Sequence, residues 1–262
     1  MRIVLCNDDG HQALGISTLA RALEEAGHEV FVVAPSEERS GQSHAMTFFR
    51  PVLVRQVAAR TWSVHGTPAD CAAIALKRLF LDAPPDLVVS GINHGLNVGW
   101  DVNYSGTVGA ATEAALLGSK AIAVSVDLDA ARSPAEVEQC FQLAAEVVVK
   151  TVAHYSHLPW ASLEVLNINH PGLGCRGLLP AASGGYSMYV PHVAELTAGD
   201  HAHPNLRVFM LGGTKRRSND DASQDVTMVQ QGFCTFSLLR ARQSSTDDAA
   251  THSALAAFVQ EL

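Results

Sequence analysis

The chain has 262 residues, 47% of them hydrophobic and 17% charged, and its 18 Lys and Arg against 26 Asp and Glu leave a formal charge of −8 at pH 7. So apolar a composition excludes the signature of a disordered chain. The acidic balance excludes a nucleic-acid polymer as expected partner, because phosphate runs are held by clustered Lys and Arg, and the densest basic run, Lys215-Arg216-Arg217, is followed by Asp220 and Asp221.

A single small phosphate stays open, since one cation can supply the missing charge. No window approaches the roughly 18 to 20 unbroken apolar residues of a membrane span, and Met1 to Asp9 has no signal-peptide shape, so no membrane partner is expected. The five cysteines (Cys6, Cys71, Cys140, Cys175, Cys234) are scattered and form no Cys-x-x-Cys pair. That pattern suggests neither a disulfide framework nor a thiolate zinc site and fits the cytoplasm.

In chain order, Arg2 to Cys6 reads as a short buried strand, and Ile16, Leu19, Ala20 and Leu23 repeat at helical spacing over Gly15 to Ala26, before a stop at Gly27. Val30 to Ala34 is a continuous β-branched run, the mark of a strand covered on both faces. Thr67-Pro68-Ala69-Asp70 opens a helix with an N-cap hydroxyl, a first-turn proline and a carboxylate at the positive dipole end. Asp86 to Ser90 and Ala121 to Val126 are two further buried strands, with an Ala-rich helix over Gly106 to Leu117 between them. A helix over Ala135 to Lys150 and a strand over Leu163 to Ile168 follow. This alternation predicts a Rossmann-like α/β fold, a mostly parallel sheet with helices on both faces.

Beyond about Pro171 glycines and prolines break the rhythm. Residues 171–225 read as a protruding arm or hairpin on a single domain whose core spans about 1–170 and 226–262. Within that last span a strand is expected over Phe233 to Leu239 and a short helix over Ser253 to Val259.

Asn7-Asp8-Asp9-Gly10 falls where the first strand ends. In open α/β sheets ligands bind outside the carboxyl ends of the strands, so two adjacent carboxylates there call for a cation, and oxygen ligands suit magnesium or manganese. The same four residues also make an ordinary turn. After the second strand, Ala34 to His44 offers the Ser40 hydroxyl and the Arg39 guanidinium, or simply a solvated loop. Ser90 to Gly99 carries three glycines with Asn93 and Asn97, and Ser105-Gly106-Thr107 opens a helix whose free N–H groups favour an anion. It is a phosphate cradle without a Walker lysine or a dinucleotide fingerprint; the alternative is glycines that only ease packing. Tyr104 and Trp100 each read equally as a base-stacking ring or a packed aromatic.

Asn7-Asp8-Asp9-Gly10, Val32-Val33-Ala34-Pro35 with Arg39-Ser40-Gly41, Gly66 to Cys71, and Asp86 to Glu113 resemble, in that order, the SurE (survival protein E) nucleotidases; Leu166 to Asn169 and Gly232 to Leu239 continue the resemblance weakly. It implies a divalent-metal-dependent phosphatase acting on nucleoside 5′- and 3′-monophosphates, with an arm exchanged between the subunits of a homodimer or homotetramer. It further implies one magnesium or manganese ion per subunit on Asp8, Asp9, Ser40 and Asn93. Asn97, Ser105, Gly106 and Thr107 match the phosphate-binding set, and Asp8 is the candidate catalytic residue, orienting or deprotonating a water on the metal that attacks phosphorus. Two departures stand out: His11 to Gly15 beside the acidic turn, and Ser237-Leu238-Leu239-Arg240 where the family has Thr-Pro-Leu-His. The missing histidine keeps alive a second reading, a nucleotide-binding regulatory module with little catalysis; Arg240 reads either as a phosphate ligand or as a surface residue. A nicotinamide-dependent oxidoreductase is disfavoured, because the first β-α turn is acidic where a pyrophosphate needs glycines.

Overall fold

A computed structural model describes residues 1–131, 133–155, 163–196, 207–215 and 224–241. The helix expected over 253–259 lies outside them. The elements are β1 (Arg2–Cys6), α1 (Leu14–Glu25), β2 (Glu29–Pro35), β3 (Val54–Ala58), β4 (Thr61–Val64), α2 (Pro68–Ile74), β5 (Leu87–His94), α3 (Gly106–Leu116), β6 (Ala121–Val126), α4 (Pro134–Ala153), β7 (Glu164–His170), β8 (Leu178–Pro180), β9 (Tyr189–Leu196), β10 (Val208–Lys215), α5 (Asp225–Gln230) and β11 (Cys234–Arg240).

Nine strands form one sheet in the order β3-β4-β2-β1-β5-β6-β7-β11-β8. From β4 through β7 every pairing is parallel, while β3 on β4 and β11 on β7 are antiparallel. Period-two alternation divides the core between the two faces. Ile3 and Leu5 of β1 pack with Ile16, Leu19 and Leu23 of α1 and Phe141, Ala144 and Val148 of α4. Val4 and Cys6 face the other way, onto Cys71 and Ala72 of α2 and Ala110, Ala111 and Ala114 of α3. The small side chains of α3 let it lie close to the sheet.

The antiparallel pair β3–β4 was not expected from the sequence. All five β3 residues are exposed, so the strand carries no alternation of apolar and polar residues to read. A second difference lies in the arm. Leu178 to Pro180 joins the main sheet beside β11, and Tyr186 and Met188 pack with Leu96, Val98, Val226 and Val229 in a third buried cluster. What leaves the main sheet is the hairpin β9–β10, paired antiparallel from Tyr189↔Lys215 to Leu196↔Val208.

The chain enters at β1, steps to β2 on one side, and later places β5, β6 and β7 on the other. The order therefore reverses between β1 and β5, and a crevice opens at their carboxyl ends, the place where such sheets bind ligands.

Candidate active site

Asn7 begins the turn that leaves β1. Its side chain, fully buried, donates to the Gly10 carbonyl (2.9 Å) and accepts from the Gly10 N–H (3.2 Å), while Gly10 adopts φ +100°. Asn7 thus shapes the turn from within, and the two carboxylates that follow it occupy the crevice.

Three other segments meet this turn. The Arg39 N–H donates to the Asp8 carbonyl at 2.7 Å, the His94 N–H reaches the Asp9 carboxylate at 3.4 Å, and the Thr107 hydroxyl donates to the Asp8 carboxylate in a short hydrogen bond. Ser40 comes with the Arg39 loop, and its exposed hydroxyl donates to Glu38 (3.1 Å). Asn93 stands where the β5–β6 register shifts between Ser90 and Asn93, an irregularity of the kind that re-aims a side chain near a site. Its amide nitrogen donates to the Gly95 carbonyl (2.7 Å). That bond leaves the amide oxygen as the group on offer.

The start of α3 lies directly on Asp8. A Cβ on Gly106 would stand 2.9 Å from Asp8 Cβ and 2.9 Å from Pro68 Cγ, so only glycine allows this approach. Ser105 caps the helix by accepting the Val108 N–H (3.1 Å). The Gly106 and Thr107 N–H groups of this first turn act on the Asp8 carboxylate, so the positive end of the helix dipole already faces one anion.

Asn97 lies deeper. Its N–H donates to Asn169 (2.8 Å), its side-chain nitrogen to Ser125 (2.8 Å), and its carbonyl accepts from Asn167 (2.8 Å) and Asn169 (3.0 Å). The amide nitrogen keeps one further N–H. In the sequence Asn7 reads only as a turn former and Asn167 and Asn169 only as a weak continuation of the resemblance; their support of Gly10 and Asn97 is not legible there, because only the pairing of β7 across the sheet brings the last two to Asn97.

Burial governs the electrostatics. Asp8 is 3% exposed, and desolvation raises its pKa against the opposing pull of the Thr107 hydroxyl. Asp9 is pushed up to about 6, by burial first and by the neighbouring Asp8 charge second. Two carboxylates made uncomfortable in this way are relieved by a cation. The donors offered by Asp8, Asp9, Ser40 and Asn93 are all oxygens, the set that suits a hard divalent ion. Among the described residues no three His, Cys, Asp or Glu side chains cluster as a ready-made cage, so a cation here would draw on the neutral Ser40 and Asn93 oxygens as well.

His44 Nε2 pairs with Glu113 at 2.7 Å, which ties the Ser40 loop to α3, and His94 is exposed. Arg240, the last residue of β11, is exposed and shares a cleft wall with Ser105. Cys6 and Cys71 are buried thiols, with burial pushing Cys6 up to about 12.

A Rossmann-like sheet, a carboxylate pair at its switch point and a helix start laid against that pair define an α/β protein with a candidate ligand crevice at the carboxyl ends of its strands. The chain belongs to the survival protein SurE family, whose model matches residues 3–185. It is 45% identical over 179 residues to 5′-nucleotidase SurE of Xanthomonas campestris pv. campestris, covering 68% of this chain and 67% of that one. It is 44% identical over 239 residues to the protein of the same name from Aliivibrio fischeri, covering 88% and 85%. The crystal structure of the SurE protein from Aquifex aeolicus superposes with a TM-score of 0.80 at 28% identity, over 97% of this chain and 99% of that one.

Proposed function

We propose that this chain is a divalent-metal-dependent phosphomonoesterase that hydrolyses nucleoside 5′- and 3′-monophosphates to nucleoside and phosphate. The observation that carries the reading is the Thr107–Asp8 hydrogen bond. It joins the start of α3 to the carboxylate pair of the buried Asp8 and the half-buried Asp9, so that a phosphoryl group and a cation would sit side by side. The nucleotidase relatives support the substrate class.

Asp8, Asp9, Ser40 and Asn93 would hold one magnesium or manganese ion, which when bound supplies Lewis acidity toward the phosphoryl oxygens and an acidified water. Ser105, Gly106 and Thr107 at the start of α3, together with the side-chain amide of Asn97, form the phosphate-binding set and stabilise charge as the ester breaks, with the Gly106 and Thr107 N–H groups shared with Asp8. The Thr107 hydroxyl fixes the Asp8 carboxylate, and Asp8 is the residue assigned to orient or deprotonate the attacking water.

Phosphate release from nucleoside 5′- and 3′-monophosphates and p-nitrophenyl phosphate, assayed with magnesium, manganese or chelator, tests this. We expect turnover that needs the metal and falls by about a thousandfold in Asp8→Asn, a loss of several kcal/mol of charge stabilisation. Asn keeps an acceptor for Thr107 and so removes charge without shape. A second reading, a nucleotide-binding regulatory module, is favoured by one feature, Arg240 in place of the family histidine. Nucleotide binding with no phosphate released above the Asp8→Asn background would decide for it.

The chain is further proposed to act as a homodimer or homotetramer through its hairpin and to work in the cytoplasm. Among the described residues no helix is long and apolar enough to cross a membrane, and all five thiols are free.

A further inference from the structure

The two exposed aromatic rings just before α3 are not equivalent. Trp100 and Tyr104 are 58% and 67% exposed, but only Trp100 lines an open cleft of about 900 Å³ whose wall includes Ser105, the residue that caps the phosphate-receptive helix. Ser43, Asn103, Thr112 and Arg240 give the same cleft polar groups. Its volume lies in the range of small-molecule sites, and its lining mixes a flat apolar surface with a few polar atoms, as such sites do.

Trp100 is presented on a turn that is fixed from both sides. Before it, the Gly99 N–H is bonded to the buried Asp225 carboxylate (3.2 Å), and a Cβ on Gly99 would stand 2.2 Å from the Tyr186 carbonyl. At the ring's own residue, the Trp100 N–H donates to that carbonyl (3.2 Å), and the Asn103 side chain donates to the Trp100 carbonyl (2.9 Å). After it, the buried Asp101 carboxylate accepts from the Met188 N–H (2.8 Å) and the Ser187 hydroxyl. A large ring on so rigid a support loses little freedom when a ligand covers it.

We infer that this cleft receives the nucleoside part of the substrate, with the base stacked on the Trp100 indole. The inference rests on the phosphomonoesterase reading for the position of the phosphate. Ser105 belongs both to the cleft wall and to the start of α3, so an ester whose phosphoryl group is held at that start has the cleft beside it. Stacking tolerates any base because each has a π-face, but the fused rings of a purine cover more of the indole, so purine nucleotides are the preferred class.

Adenosine 5′-monophosphate and ribose 5-phosphate, the same ester without a base, separate the two claims. We expect Trp100→Ala to lower kcat/KM for the nucleotide by roughly 10- to 100-fold, through KM, the size of a lost base stack. Ribose 5-phosphate should change by less than about twofold, because the variant leaves the phosphate site intact. Trp100→Phe should retain most of the activity on the nucleotide. An equal loss on both substrates, or no loss on either, overturns the inference.

Adenosine, which carries no phosphate, gives a readout that needs no catalysis. Saturable quenching of tryptophan fluorescence that disappears in Trp100→Phe supports the cleft even if no ester is hydrolysed. In that case the proposed activity fails and the base site stands. Absence of quenching means that the base lies elsewhere or that another part of the protein fills the cleft.

Discussion

At the scale of single residues, burial without compensation marks the groups whose protonation matters. His170 closes β7 at 2% exposure, with its Nδ1 accepting the Gly172 N–H (3.1 Å), and burial lowers its pKa to about 4. Between about 6.5 and about 4 the unfolded chain takes up a proton that the folded chain refuses. The stability associated with the neutral ring is therefore complete above pH 6.5 and falls as the pH is lowered toward 4. At pH 5 the loss is about 2 kcal/mol. His170→Asn keeps an acceptor for Gly172 and has nothing to titrate, so urea unfolding at pH 7.5 and pH 5 should show the wild type losing about 2 kcal/mol more than the variant. Equal losses would mean that His170 finds its proton in the folded state.

At the scale of elements, much of the site's precision comes from how helix starts are tied to loops. In α2 the predicted N-cap is a full capping box: Asp70 accepts the Thr67 N–H (2.9 Å) while Thr67 accepts the Asp70 N–H (3.1 Å). The same buried carboxylate also accepts the Thr47 N–H (2.9 Å) and hydroxyl (2.6 Å), and the Thr67 hydroxyl donates to the Ala45 carbonyl (2.7 Å). One aspartate thus starts a helix and anchors the end of the loop that carries Ser40. Asp70→Ala should cost about 2 to 4 kcal/mol, a lost cap plus a backbone N–H left buried, measured as a lower urea midpoint at unchanged slope. A cost under about 0.5 kcal/mol, the scale of an ordinary surface change, would show the loop to be held by its other contacts.

The capping box also shows where sequence reading succeeds. Thr67-Pro68-Ala69-Asp70 is local, and its hydrogen bonds lie within one turn. The strands from β1 to β7 that are covered on both faces were legible for the same reason, each an apolar run interrupted by turn residues, and so was the placing of Asp8 and Asp9 at a strand end. Val54 to Ala58 was not, because an edge strand with every side chain exposed leaves no pattern. Nor was the support of Asn97 by Asn167 and Asn169, which depends on β7 being brought across the sheet, or the cleft at Trp100, whose walls come from segments near 43, 100, 183 and 240.

At the scale of the whole molecule, the hairpin β9–β10 has no third strand beside it among the described residues. A two-stranded sheet is marginal in water without a further layer. Its register places Val193 opposite Leu211, and these are 63% and 79% exposed; Phe209 on the same face is 47% exposed. The other face carries Val190, Val208 and Met210 at 46%, 39% and 54% exposure. Contiguous apolar surface of this kind marks an association site, and a second copy of the chain is the occupant that the proposed homo-oligomer supplies. The base of the hairpin is at the same time tied to the crevice side of the sheet, where Lys215 pairs with Asp127 (3.0 Å) and Asp129. Assembly through the hairpin would therefore brace that edge of the site. Light scattering at micromolar concentration should give a dimer or tetramer for the wild type. Val193→Asp combined with Leu211→Asp, which places two like charges directly opposite one another on the exposed face, should shift the protein toward monomer while far-UV circular dichroism stays unchanged. A wild-type monomer, or an oligomer that survives both charges, would remove the hairpin from the interface.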